Sequence, residues 1–271
     1  MIKYSNFHTH SLYCDGKDLL EEIVLQAISL GCRQLGFSSH APIPIENDWC
    51  MTTERETEYK NEILRLKDKY AGKIELLLGI ETDYYSEIDL SDYDYVIRSV
   101  HYILKDGDYL SIDESEACQK RIVERYYNSD FMEYIRDYYA LVGQSLKSAR
   151  CDIIGHFDLI TKFNEGNKLF DTSADKYRKI VFNALDSIFE STRDNVVFEY
   201  NTGAISRGYR TGGYPESFIL DYLADKYSGR YSFVINSDAH SMKNLLFGFE
   251  DAERVLLDHG ASIRYAFPFK N

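Results

Sequence analysis

The stretch Phe7-His8-Thr9-His10 offers two imidazoles one residue apart. It follows an apolar run, residues 2–7, that reads as a strand. Side chains alternate faces along a strand, so His8 and His10 point the same way just past its end. Two converging imidazoles suit a divalent metal. Taken alone, His-x-His equally describes two surface histidines, and the rest of the chain has to decide between them.

The elements that would position such residues alternate along the chain. Apolar runs at 34–38, 74–80, 95–100, 151–155, 196–200 and 231–235 read as strands, with a short last strand at 262–267. Run 74–80 is apolar nearly throughout, as expected of a strand buried on both faces. Apolar residues at helical spacing mark 16–30, which Gly31 ends, and Thr53 caps a charged helix reaching Tyr70. Further helices fall at 118–148, 174–191, 215–227 and 242–258. Tyr126, Tyr127, Tyr134, Tyr138 and Tyr139 lie on the longest of these and read as core and helix contacts. Residues 105–116 read as a polar loop. This alternation argues for a parallel sheet covered by helices, either a closed barrel or an open doubly wound sheet. No G-x-G-x-x-G loop follows the first strand, which disfavours a dinucleotide site.

Nearly every strand then ends in a metal-type side chain: His8 and His10, His40, Glu81, His101, His156, and finally Asp238 with His240. Asp15 follows closely on the first strand. The chain has seven histidines, and only His259 lies away from a strand end. All strands of a parallel barrel open their C-terminal ends on one face, where chemistry is done. Six imidazoles and three carboxylates exceed the needs of one tetrahedral ion and suit two or three divalent metals, zinc, iron or manganese. Such a cluster acidifies a bound water and clamps phosphoryl oxygens, which points to phosphate-ester hydrolysis. A redox di-iron centre is usually built from Glu-x-x-His on paired helices, a pattern not found here. Arg207, in the loop after strand 196–200, can grip two phosphoryl oxygens, and Lys162 offers a point charge. Both are also ordinary surface cations in the bland reading. Cys14, beside Asp15, reads as a packing residue more readily than as a ligand.

The formal charge of -13 repels phosphate backbones, so a nucleic-acid partner is disfavoured, while a small phosphate ester remains compatible with bound cations. Five cysteines without C-x-x-C spacing fit reduced thiols and a cytoplasmic setting. No apolar run suggests a signal peptide, a transmembrane helix or a membrane partner. The oligomeric state is left open.

The motifs His8-Thr9-His10, Ser39-His40, Gly79-Ile80-Glu81, Ser99-Val100-His101, Gly155-His156-Phe157-Asp158 and Ser237-Asp238-Ala239-His240 together resemble the PHP (polymerase and histidinol phosphatase) family of phosphoesterases. Ser39-His40-Ala41-Pro42, residues 152–162, Glu199-Tyr200-Asn201-Thr202, Arg207-Gly208 and Tyr214-Pro215 resemble its histidinol-phosphate phosphatases of histidine biosynthesis. The resemblance implies a single domain, residues 1–271, folded as a distorted (β/α)7 barrel with a trinuclear metal centre. In that scheme His8, His10, Glu81 and Asp238 hold one ion. Glu81 bridges to a second held with His101 and His156, and Asp15, His40 and His240 hold the third. Asp15 stands where some members have histidine, and Lys162 where arginine is frequent.

The implied reaction is hydrolysis of L-histidinol phosphate by a metal-bridging hydroxide, without a phospho-enzyme. Arg207 would stabilise charge on phosphorus, and Asp238 or His240 would protonate the leaving alkoxide. Ser39, Lys162 and Arg207 would contact the substrate. Glu114, with Asp113 in the loop 106–116, is the candidate for its cationic moiety, although a solvated acidic loop describes it equally. A PHP phosphoesterase for another phosphomonoester and a non-catalytic metal-binding protein are the alternatives.

Overall fold

The computed structural model describes residues 4–268. In chain order the elements are α1 (Leu20–Ser29), β1 (Gln34–Phe37), α2 (Thr53–Lys69), β2 (Glu75–Asp83), β3 (Tyr95–Ser99), β4 (Tyr102–Lys105), β5 (Asp108–Ser111), α3 (Glu116–Tyr126), α4 (Phe131–Val142), α5 (Ser145–Ser148), β6 (Ile153–Ile154), α6 (Asp175–Ser191), β7 (Val196–Asn201), α7 (Gly203–Ser206), α8 (Ser217–Tyr227), β8 (Tyr231–Asn236) and α9 (Phe249–Asp258). Six strands form one parallel sheet in the order β1-β2-β3-β6-β7-β8.

The N-terminal segment joins the two edges of that sheet. Asn6 bridges Leu35 beside β1, and Thr9 bridges Ala239 just past β8. Gly36 N donates to Asn6 O at 2.8 Å, and His10 N donates to Ala239 O at 2.9 Å. The buried Asn6 side chain fixes the seam, donating to Ser237 Oγ at 2.8 Å and to the Leu245 carbonyl at 3.0 Å. These seven staves make a distorted (β/α)7 barrel. The expected strand at 2–7 is therefore a seam made of single bridges, and residues 2 and 3 lie outside the described residues.

Alternation along the staves fills the barrel in layers. Phe7, Leu77, Tyr95, Ile97, Ile153, Val197 and Val234 pack together as an apolar plug. Two residues on from Ile97 along β3 and from Val197 along β7 come inward-facing Ser99 and Glu199, and two on from Val234 along β8 comes Asn236. Tyr95 crosses the barrel through the space left by Gly36 and Gly79, where a Cβ would meet its hydroxyl at 2.2 Å and its ring at 2.1 Å respectively. Its hydroxyl donates to the carbonyls of Phe7 at 2.5 Å and Phe37 at 3.2 Å, tying the seam to the sheet.

Several sequence expectations shift. Residues 105–116 contain half of a hairpin, β4–β5, turning at Asp106-Gly107, both with positive φ (53° and 89°). Asp-Gly between apolar flanks is a hairpin signal that the reading as a loop passed over. The helix expected at 118–148 is three helices, broken where Asn128 and Ser129 take positive φ (48° and 63°). Its tyrosines Tyr127, Tyr134, Tyr138 and Tyr139 face the core, and Tyr126 lies at the rim with its hydroxyl on Asp108. The expected helix 242–258 is a single turn at Met242–Asn244 and then α9, separated at Gly248. Ladder pairing at 151–155 is confined to Ile153–Ile154, and the last strand reduces to a bridge between Ile263 and Phe233. Among the described residues no helix is long and apolar enough to cross a membrane.

Tyr95→Phe removes the donor that ties Phe7 to the sheet and leaves two buried carbonyls with weakened satisfaction. A loss of about 1–2 kcal/mol in unfolding free energy, read from urea denaturation, is expected.

Candidate metal centre

Glu81, 1% exposed at the upper end of β2, is the hub. Its Oε2 lies 2.9 Å from His40 Nδ1, 3.1 Å from His8 Nε2 and 3.6 Å from His10 Nε2. Oε1 lies 3.0 Å from His156 Nε2 and 3.6 Å from His101 Nε2. Asp238 Oδ1 stands 3.1 Å from His10 Nε2, and Asp15 Oδ2 stands 3.1 Å from His240 Nε2. All nine expected ligands thus meet, in four overlapping groups: His8-Glu81-His156, His8-His10-Asp238, His40-Glu81-His101 and His10-Asp15-His40-His240.

The donor set fits divalent cations for a reason beyond proximity. His8 Nε2, His10 Nε2 and Glu81 Oε2 are buried and make no hydrogen bond. They approach one another without donor–acceptor alignment, so each directs a lone pair into shared, dry space. A buried unpaired acceptor is costly, and a bound cation removes that cost.

The outer partners fix ring orientation. Glu199 Oε1 lies 2.6 Å from His8 Nδ1, which makes Nδ1 the protonated nitrogen and frees Nε2 to ligate. Glu199 itself accepts from His156 N, Asn201 Nδ2 and Asn236 Nδ2 at 2.8, 3.0 and 3.0 Å. Ser99 Oγ donates to Glu81 Oε1 at 2.6 Å, and Asp83 Oδ2 accepts from His101 N at 2.7 Å. Asp238 sits in the left-handed region, φ 48°, which turns its carboxylate back over the strand ends. Sequence reasoning gave Glu199 and Asp83 no role. A carboxylate inside the apolar strand Val196-Val197-Phe198-Glu199 was the available signal, since a fully buried acid is nearly always paired.

Charge follows this geometry. Burial opposes ionisation of Glu81 and Asp238, but His8 and His40 around the first, and Arg207 and His8 around the second, hold both well below the usual carboxylate range. Burial, with His240 and His40 adjacent, pushes His10 down to about 3, which keeps it neutral and ready to ligate. Burial also disfavours a charge on His101, yet Asp83 and Glu81 outweigh it and lift that ring to about 9. Cys14 is buried with Sγ 3.5 Å from His10 Nδ1; desolvation and Asp15 raise its thiol to about 11, so it packs as a neutral group. All five cysteines are free.

The family model for the PHP domain matches residues 6–203, close to three quarters of the chain. The chain belongs to the PHP family. Among curated PHP relatives, histidinol-phosphatase of Lactococcus lactis is 30% identical over 272 residues, covering 96% of this chain and 92% of its own. Histidinol-phosphatase of Bacillus subtilis is 27% identical over 265 residues, covering 90% and 96% respectively. The solved structure of histidinol phosphate phosphatase from Lactococcus lactis, complexed with Zn, L-histidinol and phosphate, shares the fold with a TM-score of 0.70 at 21% identity, covering 97% of this chain and 96% of its own.

Above the centre of this PHP domain opens a cavity of about 580 Å³, lined on one side by Asp15, His40, His101, His156, Asp238 and His240. Arg207 reaches it from the loop after α7, donating to Asp238 Oδ2 at 2.9 Å and lying 3.0 Å from His240 Nδ1. Lys162 also lines it, but its ammonium donates to Asp113 O and Oδ2 at 2.9 and 3.1 Å. Glu114 stands at the mouth with its side chain 61% exposed. Glu46, Asp48 and Trp49 line it as well; the Trp49 indole packs edge-on against His40 with ring centroids 4.6 Å apart, stacks on Tyr102 and donates to its hydroxyl at 3.2 Å; sequence reasoning passed over this segment as a polar excursion. The geometry removes Ser39 from the substrate contacts. It is wholly buried, with its hydroxyl 3.2 Å from Ser11 Oγ, behind the ligands and off the cavity wall.

Glu199→Gln retains the shape but leaves His8 without its carboxylate partner. Zinc affinity, measured by competition with a chromogenic chelator, is expected to fall roughly 10- to 100-fold; an unchanged affinity would show that Glu199 does not orient His8.

Proposed function

We propose that this PHP domain is a metal-dependent phosphomonoester hydrolase that converts L-histidinol phosphate to L-histidinol and inorganic phosphate. The observation that carries the chemistry is the convergence of nine imidazole and carboxylate ligands beneath an open cavity with Arg207 at its edge. The substrate assignment rests on the histidinol-phosphatases that match nearly the full chain. Bound divalent ions would supply an acidified water and compensate charge on the phosphoryl oxygens. Six imidazoles and three carboxylates suit three such ions, of zinc, manganese or iron. His8, His10, Glu81 and Asp238 would share one, Glu81, His101 and His156 a second, and Asp15, His40 and His240 a third.

Arg207 holds its guanidinium against Asp238, whose charge keeps it protonated, and can turn its remaining N–H groups to the phosphoryl group. Asp238 or His240, beside Arg207 at the cavity edge, would protonate the leaving alkoxide, Asp238 only after taking up the proton released by the acidified water. No nucleophilic side chain is required, so no phospho-enzyme forms. Lys162 supports phosphate through the field it shares with Asp113. The acidic and aromatic side chains of Glu46, Asp48, Trp49 and Glu114 in the lining suit a substrate bearing an ammonium and an imidazole.

Phosphate release from L-histidinol phosphate, p-nitrophenyl phosphate and AMP on metal-reconstituted protein tests this reading. L-Histidinol phosphate is expected to lead in kcat/KM by orders of magnitude, with Asp238→Asn lower by roughly 100-fold or more. Equal, slow hydrolysis of all three esters would leave the metal centre but remove the substrate. A separate comparison addresses the mouth: Glu114→Ala is expected to raise KM for L-histidinol phosphate severalfold with kcat nearly kept. An unchanged KM and substrate preference would take Glu114 out of recognition.

A further inference from the structure

Beside the cavity, the two loops that deliver its cations are joined by one buried side chain. The segment after β6 carries His156 and Lys162, and the segment after β7 carries Arg207. Between them lies Arg210, its side chain 7% exposed. One guanidinium nitrogen, Nη1, donates to Thr161 Oγ1, and Nη2 donates to Glu216 Oε1 at 2.8 Å. Thr161 Oγ1 in turn donates to Asp158 O at 2.7 Å, and Asp158 Oδ2 accepts from Glu216 N at 3.0 Å. The guanidinium lies over the Tyr214 ring, 5.1 Å from its centroid, and Tyr214 meets the His156 ring edge-on at 6.5 Å. Asp158, Thr161 and Tyr214 are all essentially inaccessible. Arg210 itself lies at the floor of a second, polar cavity of about 450 Å³ and does not line the first.

Nothing here touches a reacting atom, yet the network spans the residues on either side of the phosphoryl position. A planar fork held at both ends keeps the two loops in one relative placement. We infer that Arg210 is a positioning residue for phosphate recognition: by clamping Thr161 and Glu216 it holds Arg207 and Lys162 at the separation a phosphoryl group requires. This rests on the reading of the upper cavity as a phosphoester site and does not depend on which ester is hydrolysed.

A role through Arg207 predicts coupling that a general stabilising role does not. The test is a cycle of Arg210→Ala, Arg207→Ala and the double variant in metal-reconstituted protein. It reads the affinity for inorganic phosphate by calorimetry and KM and kcat on whichever of the three esters is turned over best. Arg210→Ala is expected to weaken phosphate binding and raise KM by roughly tenfold, with little further loss once Arg207 is already absent. Equal fold-losses in both backgrounds, or no loss from Arg210→Ala, would overturn the inference. Removing Arg210 leaves the buried Asp158 without its neighbouring cation and Glu216 without its partner, so Thr161→Val supplies a second, isosteric cut that keeps the charges paired. It should weaken phosphate binding in the same direction, again without additivity to Arg207→Ala; wild-type phosphate affinity in a folded Thr161→Val protein would likewise overturn it. If L-histidinol phosphate is no better than the other esters, the substrate assignment falls while the phosphate-binding cycle still decides the role of Arg210.

Discussion

A carboxylate with no access to water and imidazoles on several sides governs this molecule. Glu81 cannot be stable there as an isolated anion, and its neighbours cannot all be protonated in so small a volume. The arrangement is tolerable because the lone pairs converge on positions for cations and because several of the ligands are anchored from behind. Glu199 behind His8, Asp83 behind His101 and Ser99 on Glu81 are part of the same solution. The barrel below can be read as the support for this cluster. An apolar plug closes the lower half, and the polar layer begins only where the strands end, so water and substrate reach the ligands from one side.

The cavity lining carries both signs of charge, and each has a counterpart in the proposed substrate. Arg207 and Lys162 line the cavity together with Glu46, Asp48, Trp49 and Glu114, and Lys162 is already paired with Asp113, the neighbour of Glu114. The protein as a whole is strongly acidic. Local attraction of an anionic group would therefore depend on cations held at the ligand cluster and on Arg207, whereas attraction of a cationic group is supported by the general field.

Much of this was legible in the sequence because metal ligands at strand ends need only strand periodicity and residue type to be recognised. His8, His10, His40, Glu81, His101, His156, Asp238 and His240 follow apolar runs that pair in the sheet or bridge its seam, and Asp15 follows in the turn after the seam. The substrate side was less legible. Ser39 shares a motif with His40, but adjacent residues near a strand end face opposite ways, so a ligand at one position turns the other into the core. Lys162 was readable as a cation, not as one already engaged by Asp113 from another loop. Glu199 and Arg210 act across strands and loops 40 or more residues apart, and such pairings become visible only when the topology is known. The helix breaks at Asn128 and Gly248 and the hairpin at Asp106-Gly107 were local signals overridden by helical spacing or by polarity.

The seam that closes the barrel joins residues 6–9 to residue 239, more than two hundred residues later. Asn6 and Thr9 complete their pairing only against Leu35 on one side and Ala239 on the other. During synthesis, His8 and His10 emerge first and Asp238 and His240 last, so the ligand groups containing both remain open until some 230 residues have been added. Long-range closure of this kind is slow, and the early histidines spend that interval in an unfinished barrel. The ligand groups that draw on both sides of the seam can reach their final geometry only after β8 has been added, so a cation held by them is captured late in folding, after the nascent chain has already displayed its first histidines.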